Sequence, residues 1–144
     1  MVDGRRVLIL CSANSARSQM AEGLLRHLAR GRVSVRSAGV APSTVNPLAI
    51  RAMEQIGVDI RGQRSQHVNE FLQEPFDTVI TVCDHAAESC PAFPGQVQRL
   101  HWSLPDPAAA PGDEAQRLAA FARVRDDLQR RLRAWLAEQD GDSR

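Results

Sequence analysis

The sequence predicts an α/β protein, a parallel sheet with helices packed on both of its faces. Two observations carry that prediction. Short, nearly unbroken apolar runs alternate along the chain with segments whose apolar residues recur every three or four positions. The connections between them are punctuated by Gly, Pro or Asn, with no repeats, linkers or low-complexity tracts. Arg6-Val7-Leu8-Ile9-Leu10 has the pattern of a strand covered on both sides. Ala21, Leu24, Leu25 and Leu28 then recur at helical spacing, with Gly31 as the stop. Val33 and Val35 alternate with Ser34 and Arg36 in a second strand that ends near Ser37-Ala38-Gly39. Asn46-Pro47 reads as an N-cap with Pro at the first helical position, Ile50, Met53 and Ile56 line that helix, and Gly57 ends it. Ser65 is the expected cap of a short helix carrying Val68, Phe71 and Leu72.

The β-branched run Thr78-Val79-Ile80-Thr81-Val82 predicts a third strand, and residues 97–101 a fourth, followed by a loop marked by Pro105, Pro107 and Pro111. From Glu114 onward Leu118, Phe121, Val124, Leu128, Leu132 and Trp135 repeat at helical spacing, which predicts a long helix whose apolar stripe belongs to the core. The expected organisation is one domain over residues 1–139 and a fraying tail, Asp140-Gly141-Asp142-Ser143-Arg144. No apolar stripe is left over once the core is assigned, so a monomer is expected.

Composition narrows the function classes. Of the 144 residues 43% are hydrophobic, enough to bury a core, and a net charge of +1 carries no electrostatic footprint for nucleic acid or anionic lipid. No apolar run approaches the ~18 residues of a membrane span, and the first ten residues are too short and too β-like for a signal peptide. Three cysteines leave at least one unpaired within the chain. Together these features point to a reducing cytoplasm and to thiols kept for chemistry. In parallel sheets, sites form just beyond the carboxyl ends of strands, and Cys11 and Cys83 both fall there.

The segment Cys11-Ser12-Ala13-Asn14-Ser15-Ala16-Arg17-Ser18 joins the first strand to the first helix. A tight loop that opens a helix turns several backbone N–H groups inward, and the helix dipole adds partial positive charge. Arg17 supplies a planar fork for a tetrahedral oxyanion, so residues 12–18 are the expected substrate cradle. The same field is expected to lower the pKa of Cys11 and make it nucleophilic, with Ser18 donating a further hydrogen bond to its sulfur. Asn14 tolerates a left-handed backbone and is placed to hold the bend.

This loop, continuing as Gln19-Met20-Ala21-Glu22-Gly23, resembles the signature of the low-molecular-weight tyrosine phosphatase superfold, and more closely that of the thioredoxin-coupled arsenate reductases built on it. The resemblance extends through Ser37-Ala38-Gly39, Asn46-Pro47, the Cys83 region and His101-Trp102. It implies a four-stranded parallel sheet and attack of a Cys11 thiolate on arsenate, with phosphate or sulfate as competing anions. It also implies a three-step relay in which Cys83 releases arsenite, Cys90 resolves the disulfide and thioredoxin is the reductant. Ala13 stands where the family often has Gly. Some members hold potassium beside the loop; Asn14, Glu22 and Ser37 match that set, whereas Gln66 stands where those members have Asp. No cofactor or metal is expected.

Spacing adds a constraint of its own. A disulfide needs Cα atoms within about 7 Å, whereas seven residues span ~10 Å as α-helix and over ~20 Å as strand. Pairing Cys83 with Cys90 therefore requires the intervening residues to loop out, and Pro91 keeps helix from running through. Zinc held by Cys83, His85 and Cys90 is disfavoured because no close Cys-x-x-Cys pair is present, and His85 and His101 have no motif role.

Trp102-Ser103-Leu104-Pro105-Asp106-Pro107 resembles the Asp-Pro loop of the phosphatase superfold, which implies that Asp106 is a general acid for the leaving group. Two other functions remain open on the same residues. One is a phosphatase using Cys11 and Asp106, for which Ala108-Ala109-Ala110 and the absence of Tyr argue against a phosphotyrosine platform. The other is a non-catalytic oxyanion sensor gated by thiol redox state.

Overall fold

The computed structural model describes residues 5–142. Its centre is a four-stranded, all-parallel sheet in the order β2-β1-β3-β4, formed by β1 (Arg5–Cys11), β2 (Val33–Gly39), β3 (Thr78–Thr81) and β4 (Gln98–His101). Every residue from Val7 to Cys11 and from Thr78 to Thr81 is buried, as expected for central strands covered on both faces. The edge strand β4 is mostly exposed and buries Leu100 only in part. In register, Cys11 lies beside Gly39, and Leu10 lies beside Thr81.

Helix α1 (Arg17–Ala29) follows the first loop and ends on Arg30 and Gly31, both in the left-handed region. Helix α2 (Pro47–Glu54) begins at Asn46, whose side chain accepts from the Leu48 amide at 2.8 Å. It stops three residues before Gly57, so Ile56 packs from the turn that follows the helix. A one-turn helix, α3 (Asp84–Glu88), follows β3; it is too short to leave a periodic signal in the sequence. Helix α4 (Glu114–Asp142) buries Phe121, Val124, Leu128, Leu132 and Trp135, while Leu118 is only half-buried. Its backbone stays helical to Asp142, three residues into the segment expected to fray; Ser143 and Arg144 lie outside the described residues.

The expected cap at Ser65 requires correction. The short helix there is a 3-10 turn (Val68–Phe71) capped by His67, whose ring accepts from the Asn69 amide while Glu70 reaches back to the His67 amide. Ser65 serves the loop after β1 instead, donating to the Ala13 carbonyl at 3.0 Å and accepting from the Ser43 amide at 2.9 Å. One buried cation also escaped the apolar pattern. Arg125 of α4 donates to the Ala52 carbonyl and to Gln55, both at 2.8 Å, and so satisfies the C-terminal end of α2.

Candidate active site

The parallel sheet brings the first two cysteines together. Cys11 is the last residue of β1, and Cys83 comes two residues after the end of the adjacent strand β3. The Val82 amide still donates to Leu10, so the chain leaves β3 in register with the end of β1. Both thiols are buried, and each lies close enough to the other to shift its ionisation.

The loop after β1 is tied down from behind. The carbonyls of Ser12, Ala13 and Ser15 accept from the amides of Ala41, Ser43 and Asn46. Among the described hydrogen bonds, no partner within the fold uses the amides of residues 13–16, which leaves them to a ligand. Asn14 takes the bend with φ of 48° and is fully buried; Ala13 is not in the left-handed region and needs no glycine. Gly39 makes room for the bend, because a Cβ there would lie 2.4 Å from the Ser12 carbonyl oxygen and 2.9 Å from the Asn14 nitrogen. Ser18 does not reach the Cys11 sulfur as expected; its hydroxyl accepts from the Asn14 amide group at 2.8 Å and serves to hold the loop.

A cleft of about 250 Å³ opens over this loop, lined by Cys11, residues 12, 13 and 15–17, Ser43, Asp106 and Ala108. Arg17 is fixed by a bond from Nη1 to the Leu104 carbonyl at 2.9 Å, and its buried Nε has no partner in the fold. A buried donor left unsatisfied costs about 1–3 kcal/mol, a cost that an oxyanion in the cleft would relieve. Asp106 caps the 3-10 turn Pro107–Ala109 through its bond from the Ala108 amide, and its position on the cleft wall brings it together with Cys11 and Arg17.

In the resting pair the electrostatics favour a thiolate on Cys83, against the expected lowering of Cys11. Cys11 is pushed above the ordinary thiol range, first because its proton is held by Cys83 and then because burial disfavours its thiolate; Arg17 and the Ser12 amide oppose this. Cys83 is pulled down to about 5 by the Cys11 thiol and, against the cost of burial, by Ser12, the Ala86 amide and the Arg17 charge. The Ser12 hydroxyl lies 3.3 Å from the Cys83 sulfur and the Ala86 nitrogen 3.4 Å from it. Cys83 thus collects more donors than Cys11, which favours the thiolate on Cys83.

Cys83 is also the N-cap of α3, through its bond from Ala86. Beyond that single turn lies Cys90, half-buried, whose sulfur accepts from Arg99 Nη1 at 2.9 Å while Nη2 donates to the Pro91 carbonyl. Sequence reasoning missed Arg99, which lies nine residues from Cys90 on a different element. It also assigned no role to His101. That ring meets Thr81 at 2.7 Å and Asp84 at 2.8 Å, and so ties the first residue of α3 to the sheet edge. No motif could have shown either contact, because each depends on how β4 is placed against the segment that follows β3.

The residues matching the cation set are engaged with one another and do not fit a bound monovalent cation. Glu22 accepts from Arg26 Nη2 at 2.6 Å and from the Ser37 hydroxyl. Asn14 Oδ1 accepts from the Gln66 amide, and Gln66 Nε2 is directed at the Ser37 carbonyl at 3.4 Å. A hard cation needs oxygens converging on one point, but here those oxygens already face N–H and O–H donors.

Comparison with known proteins agrees with this geometry. The low molecular weight phosphotyrosine protein phosphatase family matches residues 6–143. An arsenate reductase of Halalkalibacterium halodurans is 42% identical over 90% of this chain and 93% of its own. A solved arsenate reductase in an oxidised state is 34% identical, covers 93% of this chain and 98% of its own, and superposes with a TM-score of 0.80. A thioredoxin-dependent arsenate reductase of Corynebacterium glutamicum is 28% identical with a TM-score of 0.76, covering 96% of this chain and 64% of its own. The chain belongs to the low molecular weight phosphotyrosine protein phosphatase family and stands among that family's arsenate reductases.

Proposed function

We propose that this protein reduces arsenate to arsenite with two electrons from the Cys11 and Cys83 thiols, the disulfide so formed then passing by exchange to Cys83 and Cys90. The observation that carries the reading is the pair of buried thiols, Cys11 and Cys83, at the ends of adjacent parallel strands beside an oxyanion loop, with a third thiol one short helix away. Arsenate binds to the amides of residues 13–16 and to Arg17. Cys11 attacks arsenic, its proton passing to the Cys83 sulfur it already faces, and one oxygen departs as water with Asp106 as proton donor. Cys83 then attacks the Cys11 sulfur. The sulfur–arsenic electron pair goes to arsenic, which leaves as arsenite, the Cys83 proton is released, and a Cys11–Cys83 disulfide remains. Two thiols are oxidised and arsenic gains two electrons, so the step balances.

The third step follows from the cap. In the disulfide, Cys83 has no anionic charge with which to hold the Ala86 amide, so α3 loses its N-cap. A five-residue helix without its cap is marginal, and its unwinding lets Cys90 approach and displace Cys11. The Cys83–Cys90 disulfide then lies in an exposed segment, where a dithiol protein such as thioredoxin reaches it. The similar Corynebacterium enzyme is thioredoxin-dependent, which supports that reductant. A monomer acting in a reducing cytoplasm suits this chemistry; among the described residues no helix is long and apolar enough to cross a membrane.

Slow hydrolysis of phosphate esters is a second capacity of the same cleft, because Asp106 and Arg17 line it together with Cys11. Ala108 at its wall offers no aromatic platform for a phosphotyrosine ring. The variants Cys83→Ser and Cys90→Ser separate the readings. Both are expected to lose thioredoxin-driven arsenate reduction while keeping hydrolysis of an aryl phosphate. Reduction surviving in either variant would falsify the relay, and a wild-type protein that binds arsenate without turnover would favour a sensor.

A further inference from the structure

Glu22 lies in the second turn of α1 with its side chain 8% exposed, and an ionised carboxylate buried to that degree needs a counter-charge. Arg26, one turn on, supplies it at 2.6 Å and is itself anchored by the Val35 carbonyl at 3.1 Å. Two chains of hydrogen bonds run from that guanidinium to Asn14, the bend of the oxyanion loop. In the first, Arg26 donates to Glu22, which accepts from Ser37, which in turn accepts from the Asn14 side chain at 3.0 Å. In the second, Arg26 donates to Gln63 at 3.1 Å, Gln63 to Gln19 at 2.8 Å, and Gln19 to the Asn14 carbonyl at 2.9 Å. The buried members of both chains leave no alternative partner in solvent, since Asn14, Ser37 and Gln19 are fully enclosed.

We infer that Arg26 is the built-in counter-ion of the oxyanion loop, filling with a covalently attached guanidinium the electrostatic role that a bound monovalent cation would have beside Glu22. Arg26 touches no substrate, so it is a positioning residue: it holds the Glu22 carboxylate in place, and through Ser37 and Gln19 it holds Asn14 at its positive φ. The loop amides then keep their geometry whatever the potassium concentration. The inference rests on residues 12–18 being an oxyanion loop, so its test includes a measurement that does not depend on arsenate chemistry.

The probe is inorganic phosphate, titrated calorimetrically into the reduced protein in potassium chloride and in tetramethylammonium chloride of equal ionic strength, with melting temperatures taken in both. Wild type is expected to bind phosphate equally in the two salts, within about twofold, and to melt at one temperature. Arg26→Ala is expected to bind about tenfold more weakly in tetramethylammonium and to melt at least about 5 °C lower, because a buried carboxylate loses its partner. Potassium should restore most of both. Arg26→Lys should behave as wild type, and the double variant Glu22→Gln, Arg26→Ala should be indifferent to the salt. Arg26→Gln, neutral and of similar reach, replaces Arg26→Ala if the latter does not fold. The inference is overturned if wild type itself requires potassium, if the neutral variants match wild type without it, or if potassium restores nothing. Should wild type fail to bind phosphate at all, the oxyanion loop is misread, and the potassium dependence of melting still decides the role of Arg26.

Discussion

Two stretches leave the same edge of the sheet and are built in opposite ways. The loop between Cys11 and α1 has three carbonyls bound from behind, a buried Asn at its bend and two side-chain networks converging on that residue. The segment from Cys83 to Cys90 is a single helical turn capped by a sulfur atom and held at its two ends by exposed contacts, His101 with Asp84 and Arg99 with Cys90. The first must keep its amides aimed at an anion, and its hydrogen bonds are used to remove freedom in advance. In the proposed relay the second changes shape once per turnover, and elements that move come from the low-stability end of a fold. The contrast teaches that binding and redox transfer here are separated by local stability rather than by distance.

The largest expected effect tests the rigid stretch. Arg17→Ala should weaken phosphate affinity by about 100-fold, since a fork-like, charge-assisted contact is lost, while exchange of the amides in α3 stays unchanged. Titration calorimetry and hydrogen exchange check the two halves. A change in α3 exchange would show that the stretches are coupled. Next, Gly39→Ala pushes a Cβ against two backbone atoms of the loop, neither of which is a flexible side-chain end. A loss of about 1–3 kcal/mol in urea-unfolding stability and a weaker phosphate affinity should follow together. Stability lost with affinity intact would place the strain elsewhere.

A smaller effect concerns pH and the thiol pair. The Cys83 pKa is depressed to about 5, so its contribution to stability is present above the unfolded thiol value and fades as pH falls towards 5. Between these limits the unfolded chain binds two protons on the pair and the folded chain one, so stability rises with pH. Melting temperatures of the reduced protein between about pH 6 and pH 8 should rise more steeply for wild type than for Cys83→Ala. Parallel slopes would place the thiolate elsewhere. The smallest effect is at the start of α3. His101→Ala removes only an exposed clamp, so amide exchange across α3 should quicken by no more than about fivefold, with phosphate affinity unmoved.

Much of this molecule was readable along the chain because it depends on near neighbours. Asn46 caps α2 because it precedes Pro47; residues 7–10 form a central strand because they are apolar without interruption. The loop from Cys11 to Arg17 announces itself by lying between a strand and a helix, Cys83 stands out at the carboxyl end of the third strand, and the family resemblance added the roles of Cys90 and Asp106. Reading failed where the deciding partner is far away in sequence. Ser65 has the chemistry of a cap, yet it is drawn to Ala13, and His67 caps in its place. Arg99 and His101 look like ordinary strand residues until β4 is set beside the segment after β3.

Composition and periodicity were sufficient for the α/β class, the order of its elements and the presence of three thiols in a chain with an oxyanion loop. They could not assign the proton. Which sulfur carries the negative charge depends on how many donors surround each one, and Ser12 and Cys11 meet Cys83 only because β1 and β3 are parallel neighbours. The ordering of the loop is likewise a matter of packing, since the groups that hold it come from α1, β2 and residues 63 and 66 at once. Covalent order limits what a segment is able to become, whereas electrostatics sums over everything within a few ångströms, and that sum exists only in the folded chain.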